Sequence, residues 1–309
     1  MTILEKILYP LKKDHFLEDY QEKKVLFVKG VREKFLSFFS FSDLNHFLNT
    51  HANCIQFPEI RLSKDGKILD PALYQETLPY YSNESYEKTK IDPQKVSNLI
   101  NEKASLIISG IQEYNLNIQS FAHQLSEELH SDINVTLFYN AINQISFDSH
   151  CDPVAVFTVQ LEGQKKWEIF KRDHNSQDKE SLLLETEYIL GKGDILYIPG
   201  GIWHKVNSET DNSLSMSIAV RNNNVIDLIA CILESYVHPE LLKNNYYYGA
   251  IPRDADTLTK LNSQIKNDLI KCIEQLDDHK FSTTIETLNR ETRIKKGNST
   301  YHTPFDLGS

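Results

Sequence analysis

The chain has 309 residues and only four cysteines, Cys54, Cys151, Cys231 and Cys272, none of which forms a C-x-x-C pair with another. That excludes a zinc knuckle or a disulfide-stapled scaffold, and reduced thiols in a cytoplasmic protein are the simple expectation. Positive charge is also scarce. Lys and Arg number 33 against 43 Asp and Glu, giving a net charge of -10 and a pI near 5.6. A general grip on nucleic acid needs a basic stripe, so nucleic acid is not an expected partner, whereas a basic polypeptide would suit this charge balance. No apolar run approaches the length of a membrane span, so no membrane partner is expected. The opening MTILEKILYPLKKDHFLEDY lacks the uninterrupted apolar core and small-residue cleavage site of a signal peptide. There is no internal repeat and no arrangement of Ser, His and Asp suggesting nucleophilic catalysis.

What is present is ordinary globular material, 40% hydrophobic and 25% charged, and enough chain for one large core domain plus a smaller appendage. The first part reads as mixed elements. Residues 14–20 form a short helix that Asp14 could cap, Val25–Val28 a strand, Ser42–Asn49 a helix with Ser40 or Ser42 as cap, and Cys54–Leu62 a strand. Asp70–Asp92, rich in Tyr, Pro and Asn, reads as a surface loop, with a Tyr-rich stretch at Pro79–Tyr86. Asp92 as cap and Pro93 at the first position predict a helix over Pro93–Ile108. Ile118, Phe121, Leu125 and Leu129 recur at helical spacing.

From Ile133 to Val220 the texture changes to short runs of Val, Ile, Phe and Tyr, punctuated by turns at Gly163 and Gly191–Asp194. Many closely spaced strands imply an antiparallel sandwich or barrel. After Asn224 the chain becomes helical again: Ile226–Val237 is strongly apolar, and Leu258, Leu261, Ile265, Leu269 and Ile273 form a stripe fit for a small bundle packed on the barrel or on a second subunit. Two domains follow, 1–221 and 222–309.

Within the β-region lies His150-Cys151-Asp152, and far downstream His204 closes the segment IPGGIWH. On an extended chain His150 and Asp152 point to the same face. A second His from a neighbouring strand would complete two imidazoles and one carboxylate on one side of a metal. Such a facial set leaves coordination positions open and suits non-haem Fe(II). Asp148 is a competing carboxylate; Asp152 is preferred because it leads directly into the apolar strand. The other histidines have no partner pattern.

HCDPVAVFTVQLEGQKKWEIF followed by GDILYIPGGIWHKV resembles the JmjC-type cupin oxygenases, and most of all their ribosomal-oxygenase branch, which hydroxylates protein side chains. HFLEDYQEKKVLFVKG, at His15–Gly30, resembles the same branch. The resemblance implies a double-stranded β-helix (cupin or jelly roll) with N-terminal α/β elements and a C-terminal helical region, Fe(II) as the metal and 2-oxoglutarate as co-substrate. By position it makes His150, Asp152 and His204 the metal ligands. It makes Lys165 the cation for the distal carboxylate of 2-oxoglutarate, since a buried dianion needs a counter-charge. Asn134 and Thr136 match a strand that lines the co-substrate pocket in the family, although Thr136 stands where the family has Tyr. Ser217, on SLSMSIAV, is a further candidate hydroxyl. The implied activity is hydroxylation of a C–H bond on a protein or peptide side chain, by a cytoplasmic homodimer. Two alternatives stay open: a hydroxylase of a free amino acid or natural-product intermediate, and a non-catalytic cupin binding module.

Overall fold

The structure, a computed structural model, describes residues 1–30, 39–51, 55, 57–78, 88–141, 145–172, 182–243, 251 and 254–294. The chain divides into two compact units: Met1–Glu128 with Ile133–Arg221, and Leu129–Asp132 with Asn222–Ser309.

In the first unit, helix α1 (Ile3–Leu8) is closed at its N-terminus by a capping box, with Thr2 accepting from the Glu5 amide and the Glu5 carboxylate accepting from the Thr2 amide. Helix α2 (Lys13–Asp19) carries Asp14 in its first turn, not as its cap. Then come β1 (Leu26–Val28), α3 (Phe41–His51), β2 (Ile60–Lys64), β3 (Lys67–Ile68), β4 (Gln75–Leu78), β5 (Lys88–Ile91), α4 (Pro93–Asn101), β6 (Ser105–Ser109) and α5 (Leu116–Leu129). The β-region supplies β7 (Ser131–Asn140), β8 (Ile145–Cys151), β9 (Ala155–Glu162), β10 (Lys165–Arg172), β11 (Leu182–Leu190), β12 (Ile195–Ile198), β13 (Trp203–Ser208) and β14 (Ser213–Asn222).

These strands form two sheets. The large one runs β1-β12-β9-β14-β7-β6-β2-β3 and the small one β11-β10-β13-β8, giving a mostly antiparallel double-stranded β-helix. Trp167, Ile169, Leu190 and Val206 from the small sheet pack against Leu196 and Ile198 from the large one. At roughly 25 cal/mol per Å² of apolar surface, burial of such side chains is the main force joining the sheets. Strand β9 is buried nearly end to end because both its faces are covered. Val156 and Thr158 turn towards the space between the sheets. Phe157 turns outwards, its ring 5.5 Å from that of Phe16 on α2. The Glu22 amide donates to the Tyr197 hydroxyl at 2.9 Å, fixing the N-terminal layer on the same outer face.

Two turns hold the frame. Gly163 joins β9 to β10 at φ +70°, a left-handed conformation natural to glycine, and a Cβ there would meet Thr210 Oγ1 at 2.7 Å. The Asp194 carboxylate, almost fully buried, accepts from Lys29 Nζ at 2.8 Å, the Gly30 amide at 2.8 Å and the Gly191 amide at 2.9 Å, tying the end of β1 to the turn before β12.

Three expectations are corrected. The helix expected over Pro93–Ile108 stops at Asn101. Lys103 adopts φ +73° and reverses the chain, and Ser105–Ser109 becomes β6 because it finds partners on both sides, β2 and β7. Asp92 does cap α4, accepting from the Gln94 and Lys95 amides at 2.9 and 3.2 Å. Asp70–Asp92 is not all loop: β4 and β5 pair as a two-stranded sheet, with Glu76 opposite Lys90 and an ion-pair distance of 3.6 Å. The Tyr-rich stretch Pro79–Tyr86 lies outside the described residues. The strand expected over Cys54–Leu62 starts at Ile60, and Cys54 lies outside the described residues.

The second unit contains α6 (Val225–Ile232), continued through a π-helical stretch, Leu233–Val237, into α7 (His238–Leu242), and then α8 (Ala255–Glu274) and α9 (Asp278–Ile294). Cys231 of α6 is buried and its Sγ lies 3.9 Å from the Thr284 carbonyl of α9. Of the α8 stripe, Leu261, Ile265 and Leu269 are half-buried, while Leu258 and Ile273 are exposed.

Candidate metal centre

Strands β8 and β13 are antiparallel neighbours in the small sheet, and their register sets His204 directly opposite His150. Side chains directly opposite on one face approach closely, and the two imidazole centroids lie 4.5 Å apart. Asp152 follows β8 by one residue. Its Oδ1 lies 4.0 Å from His150 Nε2 and its Oδ2 3.7 Å from His204 Nε2. One ligand atom from each of the three residues falls within 4.8 Å of the others.

The IPGG segment explains how a distant histidine reaches this place. The Gly201 amide donates to the Asp152 carbonyl at 2.7 Å, clipping the turn to the HxD segment. Gly200 passes so close to that segment that a Cβ would meet the Pro153 carbonyl oxygen at 3.1 Å. Gly201 sits at φ +81°, which turns the chain into β13.

Both rings are also oriented. His150 Nδ1 donates to the Asp148 carbonyl at 2.9 Å and His204 Nδ1 to the Ile202 carbonyl at 3.0 Å. A proton on Nδ1 leaves the Nε2 lone pair free on the side facing Asp152, the usual outer arrangement around a metal-binding histidine. Burial pushes the His204 imidazole below its ordinary pKa and the neighbouring His150 adds to this, which keeps the ring neutral and able to ligate. Asp148 is not part of the group; its carboxylate lies against Gly66, and its contribution is the backbone carbonyl that holds His150.

The three residues border a cavity of about 270 Å³ between the sheets. Lys165, only 2% exposed, reaches its wall from β10 and donates to Ser215 Oγ at 2.8 Å and to the Phe138 carbonyl at 3.4 Å. No carboxylate among the described residues pairs with it, and burial lowers its pKa to about 7. Thr158 Oγ1 and Trp167 Nε1 belong to cavity-lining residues, are shielded from solvent, and have no hydrogen-bond partner among the described residues. Buried polar groups of this kind ordinarily have partners. A buried cation without an anion among the described residues, beside a spare hydroxyl and a spare indole N–H, suits an anionic ligand rich in oxygen.

Of the other residues singled out from the sequence, Ser217 lines the cavity; Asn134 and Thr136 do not. Asn134 is exposed and accepts from Gln112 Nε2 at 3.1 Å, while Thr136 pairs with Ser109 across β6. The β7 residue that reaches the cavity is Phe138, on the same face but further along. Sequence reading missed Arg61, Thr158, Trp167 and Ser215. Strand alternation from Lys165 points to Trp167 and from Ser217 to Ser215. Nothing local points to Arg61, which comes from β2.

Residues 112–228 match the family model of the JmjC domain. The chain is 24% identical over 234 residues to the bifunctional lysine-specific demethylase and histidyl-hydroxylase NO66 of Drosophila yakuba, covering 71% of this chain and 32% of that protein. It is 24% identical over 272 residues to human ribosomal oxygenase 1, covering 82% of this chain and 40% of that protein. The chain thus spans about a third to two-fifths of the length of these curated relatives. Among solved structures, the Escherichia coli ribosomal oxygenase YcfD, in complex with cobalt and 2-oxoglutarate, matches with a TM-score of 0.56 at 18% identity, over 91% of this chain and 71% of that one. That likeness is one of fold.

Proposed function

We propose that this chain is an Fe(II)- and 2-oxoglutarate-dependent dioxygenase that hydroxylates a C–H bond on a protein or peptide side chain. The observation that carries the proposal is the convergence of His150, Asp152 and His204, with both Nε2 lone pairs aimed inwards, beside a cavity whose buried cation lacks a counter-charge. Iron bound there supplies the oxidising power for hydroxylation at the expense of O2 and 2-oxoglutarate, with succinate and carbon dioxide as co-products.

The chain's own residues do the rest. His150, Asp152 and His204 would hold the metal, and a set of only three protein ligands would leave positions open for co-substrate and oxygen. Lys165, steadied by Ser215, neutralises the distal carboxylate of the co-substrate. Thr158 and Ser217 offer hydroxyls within the same wall. Val156, Ile198 and Val206 line the remaining surface and exclude water.

A cavity of about 270 Å³ has room for a compact co-substrate and one side chain, which favours a polypeptide presented from outside over a large small-molecule substrate. The net charge of -10 supports a protein partner over nucleic acid. Exposed apolar residues on α6, including Val225 and Ile226, support a homodimer. Cys151, Cys231 and Cys272, unpaired among the described residues, support work in a reducing cytoplasm. No helix among the described residues is long and apolar enough to cross a membrane.

The test is incubation with Fe(II), 2-oxoglutarate and candidate peptides. Succinate release together with a mass gain of one oxygen on the peptide, both lost in His150→Ala, is the expected result. Absence of metal-dependent 2-oxoglutarate turnover would leave only a binding module.

A further inference from the structure

The cavity wall contains a second cation, Arg61, for which the chemistry above has no use. Its place follows from sheet register. Arg61 on β2 lies opposite Ile107 on β6, and Ile107 opposite Phe138 on β7, so the three form a row across the large sheet. Both ends of that row, Arg61 and Phe138, reach the cavity.

The guanidinium is under-satisfied. It has five N–H donors. Nη2 donates to Ser109 Oγ at 2.7 Å, and Nε is shielded and has no hydrogen-bond partner among the described residues. No carboxylate among the described residues lies within ion-pair distance of it. A cation held partly out of water without a counter-charge is costly, and a bound anion removes that cost. The co-substrate does not fill this role. One of its carboxylates belongs at the metal and the other at Lys165. Lys165 is 2% exposed, whereas Arg61 is half-buried and keeps some access to solvent.

Resting on the oxygenase reading, we propose that Arg61 forms a substrate subsite for a carboxylate, so that the segment offered to the metal bears an acidic side chain. The planar fork of a guanidinium matches a carboxylate in two parallel hydrogen bonds, a match that neither an amide nor an ammonium reproduces. The overall negative charge acts at long range and is screened by salt; Arg61 acts at contact, where a single pair selects.

The experiment uses the full chain loaded with Co(II) and 2-oxoglutarate. The capped tripeptides acetyl-Gly-Asp-Gly-amide, acetyl-Gly-Asn-Gly-amide and acetyl-Gly-Lys-Gly-amide are titrated in. Calorimetry reads the binding. So does the fluorescence of the two tryptophans, Trp167, whose ring lies 5.5 Å from that of His204, and Trp203 beside it. The Asp peptide is expected to bind about tenfold more tightly than the other two. Arg61→Gln erases that preference, Arg61→Lys keeps part of it, and the 2-oxoglutarate Kd stays within about twofold in both variants. Equal binding of the three peptides by the wild type overturns the subsite, as does a preference that survives Arg61→Gln. A marked loss of 2-oxoglutarate affinity in Arg61→Gln also overturns it, by moving Arg61 to the co-substrate. The 2-oxoglutarate titration of the wild type comes first. Failure there sinks the oxygenase reading alone, and the same peptides on metal-free protein still decide for or against the Arg61 subsite.

Discussion

His150 and His204 face each other across antiparallel strands, each with Nδ1 held by the carbonyl two residues before it, Asp148 for one and Ile202 for the other. The symmetry places two lone pairs on one carboxylate, Asp152, and makes the three side chains unequal in what their removal does. His150 and Asp152 are 39% and 40% exposed, so His150→Ala and Asp152→Asn leave the melting temperature nearly unchanged. His204 is buried, and His204→Ala lowers stability by about 1–3 kcal/mol. All three are expected to weaken Co(II) binding by about a hundredfold or more, since even partners outside a metal's own ligands account for about 10–100-fold. Calorimetric metal titration beside thermal melting checks both parts.

If Lys165 holds 2-oxoglutarate as proposed, the affinity is expected to depend on pH. Its pKa in the folded chain is about 7, lowered by burial, against 10.5 for an ordinary lysine. Between these values the unfolded chain binds more protons than the folded one, so this group makes stability rise as pH increases from about 7 to 10.5. Ligand binding has the opposite sign. In the proposed complex the protonated ammonium is the form that pairs with the distal carboxylate, so binding above pH 7 is expected to take up a proton and weaken by up to about tenfold per pH unit. Titration in buffers of different ionisation enthalpy measures the proton uptake. Lys165→Arg, always charged, is expected to flatten the dependence above pH 7, and Lys165→Met to abolish tight binding.

Asp194 is the stability hub of the frame. Asp194→Asn exchanges an acceptor-only carboxylate, holding two backbone amides and Lys29, for a side chain that meets at least one of those donors with a donor of its own. Lys29 is largely exposed, so the two buried amides dominate, and a loss of about 1.5–3 kcal/mol is expected in denaturant unfolding. The 2-oxoglutarate Kd of the folded variant should be unchanged.

The turn before His204 carries a different kind of cost. Gly201→Ala forces a Cβ into a left-handed conformation at φ +81°, with an expected loss of about 1–2 kcal/mol, and loosens the amide that clips Asp152. Reduced metal affinity together with reduced melting temperature is the expected signature. A loss of stability with metal affinity intact would show that the clip does not position Asp152.

The grouping of residues 150, 152 and 204 was legible because it depends on local rules: strand alternation and a glycine turn. The family resemblance singled out Lys165, and strand parity separated it from Lys166, which turns the other way into ion pairs with Glu168 and Glu187. What depended on tertiary partners was not legible. Asn134 and Thr136 lie on the correct face of β7, but how far along a strand a cavity opens is set by the opposing sheet, and there Phe138 reaches it. Residues 102–108 continued a plausible helical pattern, yet the chain reverses at Lys103 and pairing with β2 and β7 makes Ser105–Ser109 a strand. Arg61 lies far from the HxD segment in sequence and joins the site only through three strands placed side by side.

The most direct test of the account is an anaerobic titration of 2-oxoglutarate into the wild-type chain with and without Fe(II), repeated in His150→Ala and Lys165→Met. The account predicts tight binding only when metal is present, its loss in His150→Ala, and a strong weakening in Lys165→Met. Equal binding with and without metal, unaffected by either substitution, would contradict it.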